Sequence, residues 1–477
     1  MKSARLADAF AMGLIAALLF ATANAAEPLR DTAAVIDVYV ALGLKSNLAL
    51  QIQSLEINRS QAALEAARAR FLPELALATR YSRNEGGREI NLQLDTLLNP
   101  VYSTLNDLLA AQGRPAIFPT LSSQSFSFSR PEEQDSRVTL RQPLYVPAIP
   151  AAVRAQSALL DVSSAAQTAF ARRLKRDVAV AYLNWQRAGN AAAIVDASRQ
   201  LLAENLRVNE SLFRNGKVTQ DRPLRARAEL LGVEQQLAEA RNGVSQAQSY
   251  LNFLLNRPLE TALEPSDPGL SLASTAQKLA ALQDQALRQR PEVQQAESAR
   301  RAAEARIDVV RAARKPTLAL GLDAGIQGER YEFGRGSNFS TISLVFNWTI
   351  FDGGARRADV DAARVGQRQA RLQEEQLASQ IQLEVQQALD RLNTATESLA
   401  TAAARADAAR AAFRIAGRKR DEAVISAVEF IDARAALTSA ELALSSTRFD
   451  VLARQAELDY ATAAGRLPVG SPVTAAP

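Results

Sequence analysis

The chain has 477 residues, with 56 Lys and Arg against 51 Asp and Glu, a formal net charge of +5, and neither histidine nor cysteine. Without these two residue types it lacks the commonest metal ligands, acid–base groups and thiol nucleophiles, and no disulfide framework can staple it, so its stability rests on buried apolar area or on assembly. Charges of both signs are interspersed, and this near-even balance argues against a nucleic-acid partner.

At the N-terminus, Lys2 and Arg5 precede an apolar run from about Ala9 to Ala21, and Ala23-Asn24-Ala25 supplies the small residues of a cleavage site. The pattern predicts a signal peptide over residues 1–25 and a mature protein outside the cytoplasm. A membrane anchor is the alternative, although the run falls short of the roughly 20 residues that span a bilayer. The absence of cysteine predicts no lipoprotein anchor. Beyond residue 25 no apolar stretch is long enough for a transmembrane helix, so a membrane crossing by this chain requires strands closed into a barrel.

The remainder repeats. An offset of 243 lays Leu44, Leu50, Pro73 and Leu75 on Leu287, Val293, Pro316 and Leu318, and an offset of 207 lays Val178, Ala181, Ala226 and Leu237 on Val385, Ala388, Ala433 and Leu444. Each copy reads helix, strand, strand, long helix, long helix. The first copy covers residues 26–257, with strands at about 72–83 and 137–146 around an insertion of about 84–136. A link follows at 258–274. The second copy covers 275–465, with strands at about 316–331 and 339–351, and a disordered tail closes the chain at 466–477.

In the long helices, Ile381, Val385, Ala388, Leu392, Ala395, Leu399, Ala402, Ala406, Ala409 and Phe413 alternate spacings of four and three, the seam of a coiled coil. Leu174, Val178, Ala181, Trp185 and Ala188 begin the same register in the first copy. The many alanines suit a cylinder of helices in close approach; a plain two-stranded coiled coil is the alternative. In the strands, Leu318, Leu320, Leu322, Ala324 and Ile326 alternate with Gly321, Asp323, Gly325 and Gln327, as lipid on one side and water on the other require, though a soluble half-buried sheet alternates likewise. Four strands cannot close on themselves, so several chains must combine.

Certain motifs resemble the TolC-type outer-membrane efflux protein family, the outer membrane factors of tripartite export systems. Arg70-Phe71-Leu72-Pro73-Glu74-Leu75 and Arg314-Lys315-Pro316-Thr317-Leu318 look like the family's helix-to-strand junctions, and Phe351-Asp352-Gly353-Gly354 like its strand-to-helix corner. The resemblance implies a mainly α fold with membrane β. In it a homotrimeric 12-stranded β-barrel in the cell outer membrane is continued by a 12-helix α-barrel in the periplasm. It also implies a passive duct for efflux or type I secretion, fed by a periplasmic adaptor (membrane fusion) protein and an inner-membrane RND or ABC transporter. The sequence carries no phosphate loop, nucleophile elbow or metal cluster, so no enzyme activity and no cofactor are predicted. A secreted coiled-coil structural or adhesin protein is the alternative reading.

The insertion is 37 residues longer than its counterpart, since the offset falls from 243 at the first strand to 206 at the second, and its leucine spacing predicts a helix near 94–108. As the connection between two barrel strands it is expected to cap or narrow the mouth, or to be a passive excursion. Turns near 213–221 and 420–428 are expected at the periplasmic tip. Asn215-Gly216 fits a helix stop, while Ala423 stands where the first copy has Gly216, so the two turns that would dock an adaptor differ. Glu429 and Asp432 share one helix face and fall where the resemblance places acidic rings of the tunnel entrance; the first copy has Arg222 and Arg225 there. Pairs such as Arg222 with Glu429, helped by Asp221, are expected to hold the entrance closed, with ordinary solvated charges as the plainer reading.

Overall fold

The computed structural model describes residues 31–86, 89–127, 131–266, 278–422 and 424–467. The predicted signal at 1–25 and Ala423 lie outside them, as do residues 267–274 of the expected link and 468–477 of the expected tail. In chain order the elements are α1 (Thr32–Ser46), α2 (Leu48–Ala69), β1 (Glu74–Arg83), β2 (Glu89–Leu92), α3 (Leu94–Ala111), β3 (Gln124–Ser127), β4 (Glu132–Tyr145), α4 (Ala148–Arg214), α5 (Asp221–Leu254), α6 (Leu279–Gln289), α7 (Pro291–Ala312), β5 (Thr317–Gly328), β6 (Asn338–Asn347), α8 (Ala355–Asp421) and α9 (Ala427–Ala461). No described helix is by itself long and apolar enough to cross a membrane; the bent pair α1 and α2, meeting at 47°, satisfies length and composition only jointly.

The chain forms two compact units. One, whose described residues fall within 31–59, 160–299 and 370–467, is helical in those residues. Its first core joins Val35, Tyr39, Val40 and Leu44 of α1 to Leu174, Val178, Ala181 and Tyr182 of α4 and to Leu251 and Leu254 of α5. A second joins Leu282 and Ala286 of α6 to Ile381, Val385, Ala388 and Leu392 of α8 and to Val451 and Leu458 of α9. The heptad seam therefore packs inward, as its apolar spacing requires. Residues 258–266, the start of the stretch read as a link, are held in this core. Leu263 is buried, the Glu264 amide donates to the Tyr39 hydroxyl (2.9 Å), and the Tyr182 hydroxyl donates to the Glu264 carbonyl (2.9 Å). Likewise, at the start of the expected tail, the Arg466 carbonyl accepts from Lys175 Nζ (3.2 Å) and Leu467 packs on the first core.

The second unit, residues 60–159 and 300–369, holds a four-stranded antiparallel sheet in the order β1-β4-β5-β6. Register aligns Leu75, Leu140, Leu322 and Ile342 across the strands, and the next row reads Glu74, Arg141, Gly321 and Ser343. Side chains alternate faces along a strand, so one face is apolar. It is also bare: Leu77 is 75% and Ile342 76% exposed. The other face is tied by polar contacts. Asp135 pairs with Arg137 and lies 3.9 Å from Arg80, the Thr139 hydroxyl donates to Asp323 (2.6 Å), and the Gln327 amide donates to Glu133 (2.9 Å). At Gly325 a Cβ would overlap the Ser136 carbonyl oxygen and lie 2.7 Å from the Arg137 Cα, so only glycine lets β4 and β5 approach there.

Between β1 and β4 the chain forms an arm, in which β2 pairs with β3 and α3 occupies the stretch of leucine periodicity. α3 carries Pro100 in its second turn, where it cannot donate the backbone bond to Thr96 that another residue would make.

Candidate functional site

The helix tips are built by local capping. α4 ends in a Schellman arrangement. Gly216 takes φ +66°, its amide donates to the Phe213 carbonyl (2.9 Å), and the Lys217 amide donates to the Leu212 carbonyl (2.9 Å). Asn215 turns its side-chain amide back onto the Ser211 carbonyl (2.8 Å). In the second hairpin the Val424 amide donates to the Lys419 carbonyl (2.8 Å), the counterpart of the Lys217 bond.

Downstream of each turn the two hairpins differ. Ser426 caps α9: its hydroxyl accepts from the Glu429 amide (3.2 Å) while the Glu429 carboxylate accepts from the Ser426 amide (2.9 Å), a reciprocal capping box. The Ser426 backbone amide, then its hydroxyl, and also the Lys419 charge hold the Glu429 carboxyl below the usual glutamate range. Behind it Phe430 is buried, 5.5 Å from the Phe413 ring and under the Arg420 guanidinium at 4.4 Å. Asp221 opens α5 and accepts from the Thr219 hydroxyl, which holds its carboxyl low.

Arg222, Arg225, Glu429 and Asp432 are all exposed. Among the described residues of one chain no ion pair joins either arginine to either acid; Glu429 is engaged instead by its own helix start. A different basic group bridges the hairpins. Arg434, only 7% exposed, donates to the Ser198 hydroxyl of α4 and lies 3.7 Å from Glu229 of α5. Burial pushes its guanidinium down, the Glu229 charge opposes that, and its Nε has no hydrogen-bond partner among the described residues. An S-x-x-E spacing marks Ser426 in the sequence, whereas nothing local marks Arg434 for burial.

The corner residues lie in the sheet unit. The turn bond from the Leu72 amide to the Ala69 carbonyl (2.9 Å) precedes Pro73, and that from Lys315 to Ala312 (3.0 Å) precedes Pro316, so both prolines sit where a helix has stopped and a strand begins. At the other end Gly353 (φ +66°) and Gly354 (φ +94°) make the bend into α8. Asp352 accepts from the Gly354 amide (3.2 Å), the Arg356 amide (3.0 Å) and Arg356 Nε (2.6 Å), and Arg356 Nη1 reaches the Ala313 carbonyl (3.0 Å). Arg356 thus locks the turn after β6 to the end of α7, a role its sequence position does not advertise.

Chemically, these parts are structural and electrostatic. Among the described residues no group of three or more acidic side chains could hold a metal ion.

A family model described as outer membrane efflux protein matches residues 40–257 and 282–464. Curated relatives include the solvent efflux pump outer membrane protein SrpC and the toluene efflux pump outer membrane protein TtgI, both of Pseudomonas putida and each 25% identical over 61% of this chain and 62% of theirs. The chain thus spans less than two thirds of the length of these relatives. Among solved structures, the CmeC outer membrane channel of Campylobacter jejuni superimposes with a TM-score of 0.74 at 17% identity, covering 92% of this chain and 87% of that one. The open-state MtrE outer membrane channel of Neisseria gonorrhoeae gives 0.70 at 20% identity over 91% and 89%.

Proposed function

Because this chain belongs to the outer membrane efflux protein family, we propose that it is the exit duct of a tripartite export system, passing substrates from a periplasmic adaptor and an inner-membrane RND or ABC transporter to the exterior. Three copies combine their strands into a 12-stranded barrel in outer-membrane lipid and their long helices into a 12-helix barrel in the periplasm. One observation carries this reading: a four-stranded sheet with a bare apolar face, a hydrogen-bonded polar face, and two outer strands, β1 and β6, that among the described residues each pair on one side only. In hydrocarbon every backbone polar group must find a partner within protein, so such a sheet is viable only when other copies continue it.

Duplication within the chain agrees with a ring of six similar hairpins. Leu174, Val178 and Ala181 in the first core and Ile381, Val385 and Ala388 in the second are related by the 207-residue offset, and so are Leu251 and Leu458. At the tip, Glu429 and Asp432 next to Arg222, Arg225 and Asp221 of neighbouring hairpins form the entrance constriction, and the turns at Asn215, Gly216 and Ala423 receive the adaptor. Exposed pairs are individually weak, so the closure acts as a ring and yields to a docking partner.

Reconstitution tests this. The purified protein is expected to run as a heat-modifiable trimer and to conduct ions across planar bilayers; a monomer soluble without detergent and wholly helical by circular dichroism overturns it. The relatives' names make toluene tolerance of a deletion strain the first phenotype to assay.

A further inference from the structure

The arm between β1 and β4 is ordered on one side and bare on the other. Asn99 and Asn106, seven residues apart on α3, bind the returning chain reciprocally. The Asn99 amide donates to the Leu121 carbonyl and its oxygen accepts from the Leu121 amide (both 2.8 Å). Asn106 does the same with Phe118, at 2.8 and 3.1 Å. Tyr102 adds a ring contact to Phe118 at 5.2 Å. The arm is rooted in the sheet by the Asn84 amide on the Pro131 carbonyl (2.8 Å), where β1 ends and β4 begins.

Leu97, Val101, Leu105 and Leu108 follow spacings of four, four and three along another side of α3 and are 70, 52, 38 and 57% exposed. Such spacing is that of knobs seeking holes on a facing helix, and a contiguous apolar stripe on an otherwise fixed element marks an interaction surface. Lipid is a poor occupant. α3 carries Asp95 and Asp107 and no Lys or Arg, whereas helices that lie in membrane interfaces use basic residues to meet anionic headgroups. A second copy of this chain is a good one: the arm springs from β1, the outer strand that another copy continues in the reading above.

We propose that this stripe packs on the same stripe of neighbouring copies, so that the three arms of the trimer join helix to helix over the mouth of the duct. The proposal rests on the trimeric reading and adds to it an external constriction built from residues 94–111.

The chain contains no cysteine, so single substitutions report contacts without background. Under mild oxidation of trimers in membranes, Val101→Cys and Leu108→Cys are expected to give covalent dimers, and Ser103→Cys, exposed on the flank of α3 away from the stripe, to give none. Normal trimers with no cross-link at 101 or 108, or with equal yields at all three positions, overturn the docking and leave the duct reading standing. Quenching of a fluorophore on Val101→Cys by brominated lipid also overturns it, in favour of a lipid contact. A monomeric parent protein overturns the duct reading itself.

Discussion

Arg434 of α9 donates to the hydroxyl of Ser198 on α4, a contact between residues 236 positions apart that ties the second hairpin to the first. The guanidinium is buried, one of its nitrogens lacks a partner among the described residues, and Glu229 stands at 3.7 Å. A charge placed this way costs desolvation and returns it only through those partners.

Removing Arg434 therefore leaves a cavity as well as an unpaired Ser198 and a part-exposed Glu229. Arg434→Ala is expected to lower helical stability by about 1–3 kcal/mol, read as an earlier thermal loss of far-ultraviolet circular dichroism in detergent. Arg434→Met, which refills the space without a charge, is expected to lose less; equal losses would point to the ion pair rather than packing.

At the tip the capping box makes a pH prediction. The Glu429 carboxyl is held below its ordinary value by the Ser426 amide and hydroxyl, so its contribution is fully present above the unfolded glutamate pKa and is lost as pH falls through the depressed folded value. Acidification below the ordinary glutamate range should thus loosen the start of α9, measured as lower amide protection near residues 424–430 relative to the intrinsic exchange rate at each pH. Ser426→Ala should do the same at neutral pH, at a cost of about 1 kcal/mol.

For the proposed entrance, reversing Glu429 and Asp432 together to Lys places six new cations beside Arg222 and Arg225 in a trimer. Single-channel conductance should rise. Unchanged conductance removes the gate and leaves Glu429 with its capping role alone.

Gly325 supplies a test of the sheet. Gly325→Ala forces β4 and β5 apart at Ser136 and Arg137, whereas Gly321→Ala meets nothing closer than 3.8 Å. Trimer yield in the outer membrane should collapse for the first and persist for the second.

The bend into α8 depends on two left-handed glycines and on Asp352. Gly353→Ala should cost about 1 kcal/mol through its positive φ. Asp352→Asn should release Arg356 from the turn, detected as protease sensitivity near residue 352 in an otherwise normal trimer.

Much of this was legible in the sequence. The period of two in Leu318 to Ile326, the unbroken seam from Ile381 to Phe413, the helix-stopping Pro73 and Pro316 and the Gly353-Gly354 bend are each encoded within a few residues, because side-chain alternation, helical pitch and steric freedom at φ are local properties. Within the stretch expected as a link at 258–274, the burial of Leu263 and the bonding of the Glu264 backbone depend on Tyr39 and Tyr182, which lie more than 80 residues away.

The sequence by itself thus determined the long helices, the prolines at which helices stop and the two-faced character of the strands, since periodicity writes those into neighbouring positions. Only the tertiary structure decided which charges are spent inside the chain. Glu429 turned onto its own helix start, Arg434 sank between hairpins, Asp135 and Asp323 joined the polar face of the sheet, and Asn99 and Asn106 zipped the arm while its leucines stayed bare. A charged or amide side chain takes whichever partner the fold brings within hydrogen-bond reach, and that proximity between distant segments is not written in any one of them.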